Sequence, residues 1–271
     1  MNYELERLRK LPLCFKWIKE IHGRLLRGVR GGEKTPGDFR RTQNWIGPSG
    51  CTLSHASFVP PPVDEMHSAL DNLERFLYDV GSFPVLIQCA LAHAQFETIH
   101  LFIDGNGRVG RLLITFLPCQ REILHRPLLY LSSFLKAYQA KYYDRLMTIR
   151  LTGDWAGWIK FFLRGIFQVS QEASETARKI LELREQFRQK VRVRSLLDYL
   201  FEQPLVSIQM IQDRIRCTFP TATKDVDEFV EDSLLRETTG FQRNRRYRFD
   251  LYLSPFESSD FAPFSDDLPQ A

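Results

Sequence analysis

The sequence lacks several features that would place it in a specialised class of protein. It has no uninterrupted apolar run long enough to cross a bilayer, no apolar signal core after its first residues and no internal repeat. Its cysteines (Cys14, Cys51, Cys89, Cys119 and Cys217) are odd in number and lack C-x-x-C spacing. We therefore expect a cytoplasmic protein without membrane contact, disulfide framework or zinc site.

The charge balance is also unremarkable for a soluble chain. The net charge of +4 is too small to indicate nucleic-acid binding by itself. With 271 residues, of which 44% are hydrophobic and 26% charged, the chain can form one medium and one small globular domain.

The most informative stretch is His100 to Arg111, with the sequence HLFIDGNGRVGR, which lies between two apolar helical patterns. This arrangement predicts a helix, a tight glycine turn and the start of a second helix. The N–H groups at a helix N-terminus lack internal acceptors and lie at the positive end of the helix dipole, so they bind anions, and phosphate is the common one. Gly105 and Gly107 allow the backbone to approach such an anion closely.

The other side chains of this stretch suit the same chemistry. Asn106 tolerates a left-handed conformation and carries an amide donor, and Arg108 and Arg111 are forked cations that match phosphate oxygens. Asp104 is a hard carboxylate that can bind Mg²⁺ shared with phosphates, and His100 is a candidate general base. Asp-Gly-Asn-Gly alone is a common turn and a lone histidine is usually structural, so the combination of groups favours a phosphate site.

This pattern, H-x-F-x-D-G-N-G-R-x-x-R, resembles the signature of the Fic family of adenylyltransferases (AMPylators). Residues 37–47 resemble a second landmark of the family, G-x-F-R followed by Q-N-W-I-G, which is largely architectural, and Arg40 is expected to be a buried ion pair or a carbonyl clamp. The resemblance implies a mainly α fold, with a Fic-type helical core and a β-hairpin flap. Leu101, where the family usually has proline, and Pro118, where many relatives have an aliphatic residue, depart from the pattern, and a kink or early helix end is expected at Pro118.

The resemblance also implies which residues bind the nucleotide and which one is catalytic. His100 would accept a proton from a Tyr, Ser or Thr hydroxyl of a target protein, and Asp104 would hold Mg²⁺ against the phosphates of ATP. The implied nucleotide-binding residues are Asp104, Gly105, Asn106, Gly107, Arg108, Val109, Gly110 and Arg111 in the loop, His55, Ala56, Ser57 and Phe58 in the flap, and Tyr142, Tyr143 and Arg150 farther along. From the residues alone, the predicted flap would be interpreted as a surface loop, and the tyrosine pair could equally lie on a helix surface. His93 is expected to be structural.

The C-terminal third has a different pattern of predicted secondary structure. Three short helical patterns followed by a turn-linked hairpin resemble a winged helix, and the predicted wing over 243–249 contains four arginines interleaved with Tyr247 and Phe249, which makes contact with DNA phosphates conceivable. The predicted third helix, however, contains five carboxylates that would repel phosphates: Asp225, Asp227, Glu228, Glu231 and Asp232. The sequence thus favours a protein-interaction or dimer-orienting module over a nucleic-acid-binding one.

These patterns divide the chain into four segments. We expect a Fic catalytic domain over 1–168, a connecting helix over 169–192, a winged-helix-like domain over 193–253 and a disordered acidic tail over 254–271.

The expected activity is the transfer of AMP from ATP to a hydroxyl of a target protein, and of the chain itself, with Mg²⁺ bound and pyrophosphate released. The alternatives are transfer of another phosphate-containing group, removal of AMP from a modified protein, or a DNA-binding regulator that uses the site as a nucleotide sensor. Many Fic relatives carry an inhibitory helix, Ser/Thr-x-x-x-Glu-Gly/Asn, and the sequence has no convincing copy. The chain is therefore expected to be freed of its own inhibitor or restrained by an inhibitor (antitoxin) chain. Separately, the resemblance implies a homo-oligomer, a dimer, because relatives often dimerise.

Overall fold

The computed structural model describes residues 13–29, 32–127, 130–257 and 261, and this part of the chain is mainly helical, as predicted. Residues 1–12 of the expected Fic domain, and residues 258–260 and 262–271 of the expected tail, lie outside the described residues. Residues 254–257 of that tail are helical rather than disordered. In the part that is described, no helix combines the length and the apolar character needed to span a membrane.

The helices are α1 (Phe15–Leu25), α2 (Val63–Tyr78), α3 (Val85–Ile99), α4 (Asn106–Gln120), α5 (Ser132–Ala137), α6 (Gln139–Thr152), α7 (Trp155–Arg188), α8 (Arg194–Glu202), α9 (Ile208–Ile215), α10 (Phe219–Glu231) and α11 (Asp250–Glu257). A short 3₁₀ helix covers Leu53–His55, and the strands are β1 (Leu205–Val206), β2 (Arg236–Glu237) and β3 (Tyr247–Arg248). The chain contacts define two compact units, one of residues 1–170 with 261–271 and one of 171–260.

The core of the first unit is built around α3. Nine of its fifteen residues are buried, because α3 is apolar on nearly every side and is enclosed by its neighbours. The amphipathic helix α2 contributes one apolar stripe, made of Met66, Leu70, Leu73 and Leu77, as its spacing predicts. The buried helix α3 thus gives a rigid support to the residues that follow its end.

Helix α4 contains a proline and still continues for two residues beyond it. Because Pro118 has no N–H, the carbonyl of Ile114 one turn earlier loses its usual helical donor. The thiol of Cys89, on α3, donates to that carbonyl at 3.6 Å. Burial raises the pKa of this thiol, so Cys89 stays protonated and keeps its role as a donor. Helix α4 ends at Gln120, close to the early stop that the proline predicts.

The second unit has the order helix, strand, helix, helix, strand, strand, followed by α11. Its three strands form an antiparallel sheet in the order β1-β3-β2, with Leu205 opposite Arg248 and Glu237 opposite Tyr247. This order is the one expected of a winged helix, which remains a prediction for this unit.

Candidate active site

The loop between α3 and α4 turns the chain through two left-handed residues. His100 caps the end of α3 with φ 52° and ψ 63°, and Gly105 precedes α4 with φ 86°. Glycine adopts this conformation freely, whereas a residue with a Cβ pays about 1 kcal/mol or more. The backbone of His100 must therefore be held in place by its surroundings.

Arg40 provides part of that support. It is only 1% exposed, and its guanidinium donates to the carbonyl oxygens of His100 at 3.1 Å, Thr42 at 3.3 Å, Ile99 at 3.5 Å and Pro61. Burial lowers the pKa of Arg40. Arg40 is the carbonyl clamp that the sequence suggested, and the carbonyl of the candidate catalytic residue is one of its acceptors.

Asn44 contacts both the backbone and the ring of His100. Its side-chain nitrogen donates to the carbonyl of Phe102 at 2.9 Å and lies 3.3 Å from the carbonyl of His100 and 3.0 Å from its Nδ1. An amide nitrogen can only donate, so Nδ1 accepts and the neutral imidazole carries its hydrogen on Nε2. The buried Oδ1 of Asn44 has no hydrogen-bond partner among the described residues.

The imidazole of His100 is neutral at physiological pH. Burial, assisted by the nearby charges of Arg40 and Arg150, lowers its pKa to about 4, and the carboxylate of Asp104 only partly offsets this. A neutral ring keeps one nitrogen lone pair and can accept a proton from a hydroxyl, as a general base requires.

Asn106 shapes the loop from within. Its carboxamide accepts a hydrogen bond from the N–H of Phe102 at 2.9 Å and donates to the carbonyl of the same residue at 2.7 Å. The side chain is 2% exposed. The amide that the sequence suggested for the phosphate is thus engaged with the loop, and the contribution of Asn106 to anion binding falls to its backbone.

His22, to which the sequence assigned no role, anchors the loop from α1. Its ring stacks on Phe102 with centroids 3.7 Å apart, and its Nε2 donates to the carbonyl of Asp104 at 2.8 Å. The N–H of Gly37 donates to Nδ1 at 2.8 Å, and burial lowers the pKa of the ring, which keeps it neutral. A Cβ on Gly105 would lie 3.0 Å from Nε2 of His22, so the loop and this ring are closely packed.

The N-terminus of α4 is the part of the loop that the sequence predicts to bind an anion. The N–H groups of its first turn have no acceptors within the helix, and Arg108 on this turn forms an ion pair with Asp104 at 3.3 Å. Oδ1 of Asp104 also accepts from the N–H of Gly105 at 2.6 Å, and Lys34 approaches its Oδ2 to 3.9 Å. Cations and helix dipole converge here, as phosphate binding requires.

Asp104 also fits a magnesium ion of the kind shared with phosphates. Mg²⁺ commonly takes one or two carboxylates, substrate phosphates and water rather than a cage of protein ligands. The residues that the structure describes contain no group of three or more His, Cys, Asp or Glu that could hold a metal ion.

A buried carboxyl group lies next to this site. Glu97 is 8% exposed, and burial raises its pKa to about 7, although Arg111 and Arg150 pull in the opposite direction. A Cβ on Gly110 would collide with its Oε1, which has no hydrogen-bond partner in the described part of the chain. Gly110 thus makes room for the carboxyl group.

A cleft of about 490 Å³ opens beside Arg111 and is lined by Tyr142 and Tyr143. Tyr143 is half exposed, whereas Tyr142 is buried, and its hydroxyl donates to Nε2 of His93 at 3.0 Å. Nδ1 of His93 in turn donates to the carbonyl of Gly110 at 3.0 Å, so His93 is structural, as expected. Of the two tyrosines predicted to contact adenine, Tyr143 offers the open ring face.

The predicted flap is much smaller than a hairpin. Ile46 and Phe58 form an isolated antiparallel bridge, and the N–H of Ser57 donates to the carbonyl of Ile46 at 2.8 Å. His55 ends the short 3₁₀ helix and is exposed, and Ala56 connects it to the bridge. Beyond Phe58 the described chain continues into Pro60, whose missing N–H prevents a longer ladder.

Arg150 connects this flap to α3. Its guanidinium stacks on the ring of Phe58 at 3.6 Å and donates to Oγ1 of Thr98 at 3.2 Å and to the carbonyl of Glu97 at 3.1 Å. Burial lowers its pKa to about 10, so it remains charged. Arg150, predicted to touch nucleotide, fixes the flap in this structure.

Comparison with known protein families identifies a domain within the first unit. The model of the Fic/DOC family matches residues 12–117, which include Arg40, Asn44 and the whole loop. Residues 12–117 are a Fic domain.

Curated relatives of this Fic domain share its sequence over a limited length. The protein adenylyltransferase Fic of Drosophila grimshawi is 36% identical over 112 residues, and that of Drosophila yakuba is 35% identical over the same length. Each match covers 41% of this chain, and it spans only 21% and 20% of the two relatives. A crystal structure of a Fic family protein from Desulfovibrio desulfuricans G20 superposes with a TM-score of 0.57 at 20% identity, covering 91% of this chain and 72% of that one, which supports the fold.

The structure thus brings five of the predicted loop residues together at the start of α4, whereas other predicted residues lie in the core or in the flap. Asp104, Gly105, Gly107, Arg108 and Arg111 surround the N-terminus of α4. Val109 points into the core, and Gly110 contacts His93 and Glu97.

Proposed function

We propose that this protein is a transferase that moves AMP from ATP to a hydroxyl group of a target protein. The observation that carries the proposal is the left-handed loop in which a neutral His100 precedes the open N-terminus of α4 and its two arginines. The Fic domain and the name of its curated relatives, protein adenylyltransferase, support the reaction class.

The loop would bind the triphosphate. The first-turn N–H groups of α4 receive the phosphate oxygens, and Arg108 and Arg111 bind the outer phosphates and orient the departing pyrophosphate. Mg²⁺ held by Asp104 would neutralise phosphate charge. Reactions of this type depend mainly on position and electrostatics, which fits a site built from backbone groups and fixed cations.

His100 would remove the proton of the acceptor hydroxyl as its oxygen bonds to the α-phosphorus and the bond to pyrophosphate breaks. In the resting structure Asn44 donates to Nδ1, so Nε2 already carries the hydrogen. The base therefore needs the other tautomer, with its hydrogen on Nδ1. The carboxamide of Asn44 would then rotate, give up its donation to Phe102 and accept from Nδ1–H through Oδ1, which has no partner among the described residues. Asn44 is thus the positioning residue that selects which ring nitrogen is the base.

Incubation with α-³²P-labelled ATP and Mg²⁺ tests this function, with mass spectrometry for the gain of one AMP. His100→Ala should abolish labelling of protein while ATP binding remains, and His67→Ala, an exposed histidine on α2, should leave labelling unchanged. Label at the normal rate in His100→Ala would reject the role of His100. Absence of label from the unaltered protein, both on itself and on a cell extract, would reject AMP transfer.

Removal of AMP from a modified protein is the second candidate, because the same loop would bind the phosphate of AMP in either direction. There, His100 would take a proton from the water that attacks the phosphorus, and would pass it to the protein oxygen as the bond between that oxygen and the phosphorus breaks. Release of AMP from an AMP-modified protein, without labelling from ATP, would identify this direction.

A further inference from the structure

The second unit contains a basic groove that the proposed chemistry does not use. It is lined by residues 207–209 at the start of α9, Phe219 and Thr223 on α10, and residues 242–246 before β3, and its volume is about 800 Å³. We call this surface the wing groove. All of its residues belong to the unit of residues 171–260.

Three arginines of the wing groove lack a carboxylate partner. Among the described residues, Arg243, Arg245 and Arg246 take part in no ion pair; Arg245 donates to the carbonyl of Phe241 at 3.2 Å, and Arg246 contacts Sδ of Met210 at 3.9 Å. Other arginines of the same unit are paired with carboxylates: Arg184 with Asp198, Arg192 with Asp225 and Glu228, Arg214 with Glu202, and Arg236 with Asp250. Three arginines within four residues thus place positive charge at this groove, although Arg245 also lies close enough to Glu237 to help lower the pKa of that carboxyl group. Such a surface is complementary to a polyanion.

Two of the five carboxylates that the sequence counts against such a ligand are paired with an arginine, whereas Asp227 and Glu231 are exposed and line a neighbouring cleft. Asp225 is 4% exposed and pairs with Arg192 at 2.9 Å, and Glu228 pairs with the same arginine at 3.2 Å. The first six residues of the helix, 219–224, contain no carboxylate, and its acidic residues all follow them. The end of α10 that lines the wing groove is therefore its neutral or basic end.

The two helices beside the groove have the connection of a helix-turn-helix. Helix α9 is joined to α10 by residues 216–218, and Arg216 makes the turn in a left-handed conformation with φ 60°. In DNA-binding proteins with such a short turn, the N-terminal residues of the second helix face base edges in the major groove. The side chains of Ser207 and Thr218 cap the two helices.

We propose that the wing groove binds duplex DNA, with the three arginines on backbone phosphates and the start of α10 in the major groove. Phosphate contacts of this kind supply most of the affinity and position the protein, while the helix contacts the bases. Double-stranded RNA fits less well, because its major groove is too deep and narrow for side chains to read.

Fluorescence anisotropy of the full chain with a fluorescein-labelled duplex of about 24 bp, more than two helical turns, tests the proposal. The test variant replaces the three groove arginines by glutamine (Arg243→Gln, Arg245→Gln, Arg246→Gln). The control removes three paired cations of the same unit (Lys179→Gln, Arg184→Gln, Arg214→Gln), so both variants have the same net charge. Each phosphate contact contributes about 0.9 to the slope of the logarithm of the binding constant against the logarithm of the salt concentration. The loss of three contacts should therefore reduce this slope by about 2.7 and weaken binding about 500-fold at 0.1 M salt. The control should keep its slope.

A second variant keeps the proposal testable if the triple substitution prevents folding. Thr223→Glu places one carboxylate in the wing groove at an exchangeable helix position and should weaken DNA binding without lowering the melting temperature. The proposal would be overturned if the test and control variants weakened DNA binding equally, or if the protein did not bind the duplex at low salt. Tighter binding to duplex RNA than to DNA, or binding of the groove to a protein with no binding to DNA, would also overturn it. His100→Ala should bind DNA normally, so failure here and failure of the proposed transfer reaction are separate results.

Discussion

The buried carboxyl group of Glu97 leads to a quantitative prediction about stability and pH. Burial raises its pKa to about 7 from an ordinary value of 4.5 in the unfolded chain. Between these two pH values the folded protein keeps a proton that the unfolded chain has lost. The stabilisation from this group is therefore complete below about pH 4.5 and is lost as the pH rises through about 7.

The magnitude follows from the two pKa values. Their difference, at roughly 1.4 kcal/mol for each pH unit, corresponds to about 3 kcal/mol. Glu97→Gln keeps the shape of the side chain and cannot ionise. The free energy of unfolding of this variant, minus that of the original protein, should thus increase by about 3 kcal/mol between pH 4.5 and pH 8. His93 and His100, whose lowered pKa values act in the opposite direction, are present in both proteins and cancel in this difference.

Urea unfolding followed by tryptophan fluorescence measures this difference in the right part of the molecule. All four tryptophans lie in the first unit: Trp17, Trp45, Trp155 and Trp158. Glu65→Gln, on the exposed face of α2, is the matched control. A flat difference for Glu97→Gln would refute the reasoning, because it would mean that Glu97 is ionised in the folded protein throughout this range.

Three further substitutions test the loop, its support and the flap. Gly105→Ala puts a Cβ on a residue with φ 86°, so we expect a loss of about 1–2 kcal/mol in unfolding free energy and weaker ATP binding by calorimetry. Tyr142→Phe removes the donor to the buried His93, which should cost about 1–3 kcal/mol in urea unfolding. Arg150→Met keeps the apolar stem and removes the stacking on Phe58, so hydrogen exchange over residues 46–58 should become faster.

Two of these substitutions have a control in the same unit. Gly153→Ala also alters a left-handed glycine, φ 72°, with open space around it, and should lose stability without losing ATP affinity. Tyr143→Phe should not reduce stability, since this side chain is half exposed. Normal ATP affinity in Gly105→Ala, full stability in Tyr142→Phe or unchanged exchange in Arg150→Met would contradict the corresponding role.

The sequence predicts the parts of this fold that depend on local spacing. The glycine turn between two apolar helices and the stripe on α2 are local, and the structure has both. The predicted mainly α fold and the Fic domain are confirmed as well. These features need only neighbours a few residues apart, so periodicity and turn chemistry are sufficient.

The supports of the site depend on contacts between distant parts of the chain. His22 reaches Asp104 across 82 residues, and Asn44 reaches Phe102 across 58. No periodicity encodes such pairs, so the sequence assigned His22 nothing and gave Asn44 no specific partner. Periodicity also gives no sign of the ion pairs on α10. Arg192 is 33 residues from Asp225 and 36 residues from Glu228, the two carboxylates with which it pairs. Counting charges along α10 therefore overestimated the negative charge it presents.

The anchoring of the loop has a consequence for proteins that share only its letters. His22, Arg40 and Asn44 precede the HLFIDGNGRVGR segment by more than fifty residues, and they hold its carbonyls, its phenylalanine and its imidazole. A chain that carries the twelve letters but lacks such partners would have an ordinary turn between two helices. Grafting the segment onto another pair of helices should therefore transfer the sequence of the site without its geometry or chemistry, unless His22, Arg40 and Asn44 are grafted with it.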